Sequence, residues 1–361
     1  IISDVGILLA AIVLFISKIQ FSNEDNSQQS NIRLVSKFSN NLVPHLFKAL
    51  SEENENLVFS PFGLASNLMM VIEMLIKQLL VKLLMYLNWA KTVYDLAGVF
   101  SRISVVTSQP LAPSFEEILR NYFQANVTTV HNETGYRCAT ESEIGVVSHW
   151  LDYQKLAVYT YLSHNPASLF YLSPNVTVRV PMIPQIGAFR GGYVPQIRSY
   201  VAELKLQVSC IAVSSIHYPL DLKELAKLSF RSGLDELLNV IPAKEMEVLL
   251  PQLAIIKKDI DLEQVLRDFG VDLIFNDTLV ERSKDSVYIE SIKQNAYFST
   301  SFTTVNSATS VTSAATRLAS KKRQVKTRLI FNKPFLFYLM HCRNGLILLT
   351  GKVVNPTQVP S

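Results

Sequence analysis

The sequence predicts an α+β fold, with helices in the first third of the chain and strands in the rest. Apolar residues recur at helical spacing between residues 61 and 75, whereas strand-type patterns dominate after residue 176. The chain closes on two apolar runs around an Asn-Gly pair, which is typical of a β-hairpin. No long linker or repeat interrupts the 361 residues, and 48% of them are hydrophobic. We therefore expect one domain with a large core.

Helices are predicted at four places. Ser60 is a residue type that caps a helix N-terminus, and Pro61 suits the first helical position. The residues after Pro61 carry their apolar side chains on one helical face: Leu64, Leu68, Val71, Ile72 and Leu75. A weaker helical pattern covers residues 115–123, and another surrounds Trp150. A short amphipathic helix is predicted over Asp261–Phe269, where a glycine follows the last residue.

Strands are predicted in the second half of the chain. Their segments are rich in β-branched and apolar residues: Val176–Val180, Ala202–Val208, Met246–Leu250 and Val287–Ile292. Near the C-terminus, the apolar runs Phe335–Met340 and Leu346–Val354 flank Arg343-Asn344-Gly345. Because Asn-Gly favours the tight turns that join antiparallel strands, we expect these runs to form a buried hairpin.

The N-terminal residues predict export of the protein. Val5–Ile16 is an apolar run of 12 residues, shorter than the roughly 20 that span a bilayer. We interpret residues 1–22 as a signal peptide that lacks the usual basic start, and we expect no stable membrane anchor. A buried N-terminal helix is the alternative. Four Asn-x-Ser/Thr acceptors also fit a secreted, extracellular glycoprotein: Asn126, Asn132, Asn175 and Asn276.

Motifs that would indicate an enzyme or a cofactor site do not occur in the sequence. The six histidines show no HExxH or His-x-x-His spacing, and the three cysteines show no CxxC pair. No GxGxxG, P-loop or GxSxG pattern is found, so neither a nucleotide cofactor nor a serine hydrolase site is predicted. We expect no enzyme activity, no metal site and no cofactor.

Positive charge is concentrated in the C-terminal part of the chain. The formal net charge is only +4, but no Asp or Glu follows Glu290. Lys321-Lys322-Arg323 is the densest basic segment there. Its composition fits a solvated face, a glycosaminoglycan-binding patch or a dibasic processing site, and the spacing does not separate these three. Nucleic acid is not an expected partner.

Segments spread along the chain are similar to the motifs of one family. They are NLVFSPF at Asn56–Phe62, VPMIPQ at Val180–Gln185, Glu247–Pro251 with the following DLEQVLRDF, VYIESIKQNA at Val287–Ala296, and FNKPFLFYLMHCRNGLILLTGKVVNP at Phe331–Pro356. These segments closely resemble the serpins, the serine protease inhibitor superfamily. The resemblance implies a serpin fold with three β-sheets, about eight or nine helices and an exposed reactive-centre loop. The serpin domain is expected over residues 32–358, with the loop at about 307–330.

The middle of the chain departs from the family pattern. Trp150 in VVSHWL resembles the tryptophan of the family's Ile-Asn-x-Trp-Val helix, although Ser148 stands where the family has Asn. The family's Gly-Ala-Lys/Arg-Gly-x-Thr turn has no counterpart after residue 77. For the family's Asn-x-x-Tyr-Phe-Lys-Gly-x-Trp strand, Tyr159–Tyr171 is a poor match. That strand borders the place where the reactive-centre loop inserts.

The resemblance implies a mechanism for the loop. A serpin inhibitor is cleaved as a substrate, and its loop then enters the main sheet as an extra strand, which distorts the trapped acyl-enzyme. Counting back from Pro334 by the family's spacing gives the reactive bond as Arg323–Gln324. The same frame assigns small residues to the hinge: Thr309, Ser310, Val311, Thr312, Ser313, Ala314, Ala315 and Thr316. Counting forward from Ala296 gives the alternative bond Leu318–Ala319, unless residues are inserted between Tyr297 and Asn306.

Two functions follow from the resemblance. The first is a secreted, monomeric inhibitor of a trypsin-like serine protease, because such a protease binds an arginine such as Arg323 through a carboxylate in its primary pocket. The second is a serpin-fold binding or carrier protein whose loop is cut without trapping the protease. A glycosaminoglycan is a further expected partner of the basic loop residues.

Overall fold

The computed structural model describes fifteen segments of the chain, and all structural statements below concern them. They are residues 36–75, 99–107, 116–117, 119–121, 125–131, 136–149, 167–205, 209–215, 221–231, 237–238, 240–268, 275, 287–301, 327–341 and 345–358. Within them, helices and long strands form a mixed α+β arrangement, as predicted.

The predicted helix after Ser60 is confirmed, and an additional helix that the sequence patterns did not indicate precedes it. Helix α1 spans Val43–Leu50, strand β1 spans Leu57–Phe59, and helix α2 spans Pro61–Leu75. Ser60 caps α2 as expected, since its Oγ accepts a hydrogen bond from the Gly63 amide at 2.9 Å. The first apolar residues of α2 are buried, and the helix contacts strands of both sheets described below.

A five-stranded sheet carries the longest described strand pairing. Its strands are β2 (Val99–Thr107), β3 (Ala125–His131), β4 (Tyr136–His149), β10 (Leu253–Asp261) and β11 (Val287–Ser301). Their order is β10-β11-β4-β2-β3, so β3 and β10 are the edges. The predicted strand at residues 287–292 is therefore the first part of a 15-residue strand.

The second sheet has nine strands in the described residues. They are β1 with β5 (Ala167–Ser173), β6 (Val176–Val194), β7 (Ser199–Lys205), β8 (Ser209–Ser215), β9 (Ala243–Pro251), β12 (Arg328–Ile330), β13 (Phe335–Met340) and β14 (Ile347–Val353). Their order is β1-β14-β13-β8-β7-β6-β9-β12, and β5 pairs with β6. Strand β6 pairs with β5, β9 and β7 in turn along its 19 residues, so the β5–β6 ladder is continuous with the rest of this sheet.

Two further helices complete the core. Helix α3 spans Leu222–Arg231, and Asp221 caps it by accepting hydrogen bonds from two amides of its first turn. Helix α4 spans Glu263–Asp268, inside the segment predicted as helical, and Asp261 accepts a hydrogen bond from the Glu263 amide at 2.8 Å. Apolar residues of all four helices and of the C-terminal hairpin pack into one cluster.

The predicted C-terminal hairpin is confirmed and deeply buried. Strands β13 and β14 pair antiparallel, and Gly345 has φ of 68°, a value that glycine adopts without strain. Two asparagines far away in sequence hold its ends: Asn40 bonds the backbone of Gly345 and Ile347, and Asn56 bonds that of Val354 and Asn355. The hairpin is thus tied to the N-terminal part of the domain by side-chain hydrogen bonds.

Lys352 in β14 is a buried cation within this hairpin. Its Nζ donates to the backbone carbonyl of Glu52 and, at 3.3 Å, to that of Glu53. Burial, with a smaller contribution from Lys223, lowers the pKa of Lys352 to about 8. The amine therefore binds backbone carbonyls just after the end of α1.

Candidate functional site

The centre of the five-stranded sheet is a parallel pair of strands. Strands β4 and β11 are hydrogen-bonded directly to each other from Val287 opposite Tyr136 to Ser301 opposite His149. The register is continuous from Ser291 onward, with one irregularity before it. Parallel pairs are somewhat less stable per residue than antiparallel ones. An additional strand that entered between β4 and β11 antiparallel to both would replace this pairing with two antiparallel ladders.

Side chains of β11 alternate between the protein interior and the surface. Ile292, Gln294, Ala296, Phe298 and Thr300 are buried, whereas Lys293 is exposed. Helix α2 lies against both β4 and β11 on the interior side. The two strands therefore meet over an apolar layer into which a new strand would also direct every second side chain.

Gln294 is a buried polar residue in the middle of β11 and connects this strand to α2. It is 1% exposed. Its Oε1 accepts a hydrogen bond from the Ser60 amide at 2.8 Å, and its Nε2 donates to the Ser60 carbonyl at 3.0 Å. The Ser60 hydroxyl in turn donates to the Leu348 carbonyl of β14 at 2.5 Å. The Gln294 amide thus joins the five-stranded sheet to the cap of α2 and, through Ser60, to the other sheet.

Thr300 holds the end of β11 from which the predicted loop departs. Its Oγ1 accepts a hydrogen bond from the Leu253 amide at 3.0 Å and donates to the Pro251 carbonyl at 2.9 Å. These two residues lie at the junction of β9 and β10. The N-terminal base of the loop is therefore attached to the point where the two sheets meet.

The C-terminal base of the loop lies on the nine-stranded sheet. The Thr327 carbonyl accepts a hydrogen bond from the Glu247 amide at 3.0 Å, and β12 then continues parallel to β9. Arg328 Nε lies 3.0 Å from the Glu247 carboxylate, which fixes the first residue of β12. The chain between Ser301 and Thr327 thus connects one sheet to the other.

Family membership follows from comparison with known proteins. A family model described as "Serpin (serine protease inhibitor)" matches residues 163–356, more than half of the chain. The chain belongs to the serpin family. The described strands outside this range, including β4, complete the five-stranded sheet of the serpin.

Curated relatives and solved structures agree with this assignment. Alpha-1-antitrypsin of Sus scrofa is 27% identical over 198 residues, which are 52% of this chain and 44% of that protein. Alpha-1-antiproteinase of Bos taurus is 28% identical over 207 residues, 55% of this chain and 47% of that protein. The chain spans about half the length of the curated relatives it matches.

The solved structures support the fold over nearly the whole chain. Manduca sexta serpin-12 has a TM-score of 0.66 at 16% identity, covering 91% of this chain and 99% of that one. Native protease nexin-1 with heparin has a TM-score of 0.65 at 17% identity, covering 90% and 100%. The predicted α+β serpin fold is thereby confirmed.

Strand β4, which borders β11, contradicts the helix predicted around Trp150. The predicted helix around this residue is wrong for Val146–His149, which lie in β4 and pair with β11. Trp150 itself lies outside the described residues. Tyr159–Tyr171, the poor match, instead contributes its last residues to β5 in the other sheet. The serpin therefore has a bordering strand, with a divergent sequence.

The predicted glycosylation and loop residues divide into described and undescribed positions. Asn126 is exposed on β3, and Asn175 is exposed in the turn between β5 and β6. The other predicted features lie outside the described residues: the signal peptide 1–22, Asn132, Asn276, the hinge 309–316, Arg323–Gln324 and Leu318–Ala319. In the described segments, no cluster of metal-ligating side chains occurs and no helix is long and apolar enough to cross a membrane.

Proposed function

We propose that this serpin is a secreted, monomeric inhibitor of a trypsin-like serine protease, cleaved after Arg323 as a suicide substrate. The loop then inserts between β4 and β11 and distorts the acyl-enzyme before water releases it. The observation that carries the proposal is the direct parallel pairing of β4 with β11, because it is the arrangement a serpin has before insertion. Replacing it by two antiparallel ladders supplies backbone hydrogen bonds and apolar burial that the uncleaved form lacks.

The charged residues of the loop indicate which of its side chains face the interior after insertion beside β11. Side chains directly opposite each other in a sheet share a face. If odd-numbered loop residues faced the interior, the charged Arg317 would be buried over α2. With even-numbered residues facing inward, Arg317 and Lys321 remain in solvent and Lys322, near the end of the strand, is the single charged side chain directed inward. The buried hinge positions then carry small side chains: Ser310, Thr312, Ala314 and Thr316. We therefore infer the even register.

The length of β11 bears on the choice between the two reactive bonds. Strand β11 keeps its register with β4 up to Ser301, so no bulge accompanies an insertion in the first part of the segment between Tyr297 and Asn306. A 15-residue strand accommodates the 14 residues from Ser310 to Arg323 and equally the 14 residues from Val305 to Leu318, so the choice of bond depends on the small hinge residues that the Arg323 frame aligns. Arg323 remains the preferred specificity residue, and Leu318 is the alternative.

Incubation with trypsin followed by denaturing electrophoresis tests this proposal. We expect a covalent complex that resists denaturation, and we expect Arg323→Ala to abolish it while Leu318→Ala leaves it in place. The reverse pattern would transfer the reactive bond to Leu318–Ala319. Clean cleavage without a complex would instead favour the non-inhibitory binding or carrier function. A rise in the unfolding temperature after cleavage would separately report insertion of the loop.

Glycosaminoglycan binding is proposed as a second property of the basic loop residues. Protease nexin-1, one of the structural neighbours, was solved with heparin. In this serpin the cluster Lys321-Lys322-Arg323 would attract sulfate groups through charge, so retention on heparin should fall steeply with salt. Replacing Lys321 and Lys322 by Ala, with Arg323 kept, should shorten that retention, and unchanged retention would exclude the cluster.

A further inference from the structure

Two tyrosines form an exposed aromatic pair beside the turn between β6 and β7. Tyr193 and Tyr200 are cross-strand partners, their ring centroids lie 5.6 Å apart, and they are 46% and 41% exposed. Arg198, exposed as well, ends the connecting turn. Tyrosine and arginine are the residue types that most often dominate the binding energy of protein interfaces. We call Tyr193 and Tyr200 the tyrosine pair.

The tyrosine pair lies on the same sheet face as the residue that follows the loop. Leu329 of β12 packs over Gly191, with its Cδ1 3.1 Å from the position a Cβ would take there, and Met246 packs beside it. Side chains two residues apart on a strand share a face and are roughly 7 Å apart. Tyr193 therefore lies on the face of β6 that Leu329 contacts, two residues along the strand from that contact.

The reactive bond is close enough for one bound protease to cover both places. Gln324 precedes Leu329 by five residues, which span at most about 17 Å when extended. A protease domain of about 220 residues has a radius of gyration of about 17 Å. A protease attached at Arg323–Gln324 consequently overlies sheet surface well beyond its active-site cleft, and an aromatic pair on that surface is within its reach.

We propose that the tyrosine pair is a second contact surface for the protease, separate from the loop residues that enter its active site. The proposal rests on the proposed inhibitory function. Burial of two half-exposed rings against the protease would stabilise the encounter complex before cleavage. The tyrosine pair would then raise the rate of complex formation without changing which bond is cut.

Rate measurements on surface variants test this proposal. The probes are active trypsin and a trypsin whose catalytic serine is replaced by alanine, which binds without cutting. We expect Y193S/Y200S to lower the second-order rate of covalent complex formation at least fivefold and to weaken binding of the inactive trypsin by a similar factor. We expect Y193F/Y200F to retain most of both, because the rings remain.

Val240→Ser is the matched control. Val240 is 65% exposed, and its neighbour Ile241 packs toward Gly192, on the opposite face of β6. We expect this variant to stay within twofold of the unmodified serpin, and equal unfolding temperatures would show that all variants are folded. The proposal would be overturned if the unmodified serpin forms its covalent complex and Y193S/Y200S forms it at a second-order rate within twofold of the unmodified rate. If the unmodified serpin neither binds nor is cut at the loop, the proposed inhibitory function itself fails.

Discussion

Replacing Gln294 by methionine should weaken the serpin before cleavage. Methionine has nearly the same length, so packing is largely kept while both hydrogen bonds to Ser60 are lost. The Ser60 amide would then be buried without an acceptor, whereas its carbonyl would keep the Leu64 amide at 3.3 Å. A buried unsatisfied amide costs about 1–3 kcal/mol, and the lost bond at the carbonyl adds about 1 kcal/mol. We therefore expect a loss of about 2–4 kcal/mol.

Urea-induced unfolding of the uncleaved protein, followed by both fluorescence and circular dichroism, measures this loss. Agreement of the two probes would justify a two-state evaluation. Lys293→Met is the control, because Lys293 is the exposed neighbour on the same strand. We expect it to change the free energy of unfolding by less than about 0.5 kcal/mol. If Gln294→Met also stays below that value, the Gln294 amide does not hold β11 to α2.

Two further predictions concern the C-terminal hairpin. Gly351→Ala should destabilise the protein by about 3 kcal/mol or more, because a Cβ at this position would overlap the Leu57 carbonyl. Gly192→Ala is the control and should be tolerated, since the heavy atom nearest to its Cβ would be 3.9 Å away. Equal melting temperatures for the two variants would contradict this prediction. The pKa of Lys352 is lowered from 10.5 to about 8 in the folded protein. Between about pH 8 and pH 10.5, Lys352 is therefore protonated more fully in the unfolded protein than in the folded protein. The contribution of Lys352 to the free energy of unfolding should consequently rise with pH over that interval. The difference in unfolding free energy between the unmodified serpin and Lys352→Gln, measured from pH 7 to pH 10, should therefore increase, and a flat difference would contradict the pKa shift.

Local chemistry explains which parts of the fold were predictable from the sequence. The Ser60 cap, the helix after it and the glycine turn of the C-terminal hairpin depend on residues within a few positions of one another. Such features can be predicted from single residue types, because capping and positive φ have strong side-chain preferences. The segments that resemble serpin motifs include these same elements. The fold class predicted from residue patterns therefore agreed with the fold that the resemblance implies.

The bordering strand of the insertion site could not be recognised in the same way. Strand β4 (YRCATESEIGVVSH) mixes charged and small residues without a clear alternation, and its partner β11 lies about 150 residues further along the chain. Its last residues, next to Trp150, also match a helical motif of the family. Parallel pairing of distant strands leaves no local signal, so only the assembled sheet distinguishes the two interpretations.

Gln294 gave no signal in the sequence either. It stands in a strand of otherwise ordinary alternation, and a glutamine at such a position is usually exposed. Its function depends on the backbone of Ser60, which lies 234 residues earlier. A buried polar residue inside an apolar stripe is the one feature that could have drawn attention to it.

The C-terminal position of β13 and β14 has a consequence for synthesis of the protein. Strand β14 lies between β1 and β13, and its Lys352 pairs with Leu57, which leaves the ribosome almost 300 residues earlier. Until β13 and β14 have emerged, β1 and β8 each expose an unpaired edge beside apolar side chains. Such edges favour association with other chains. We therefore expect a nascent chain that stalls before Phe335 to depend on chaperones, whereas a chain that includes β13 and β14 closes the sheet by itself.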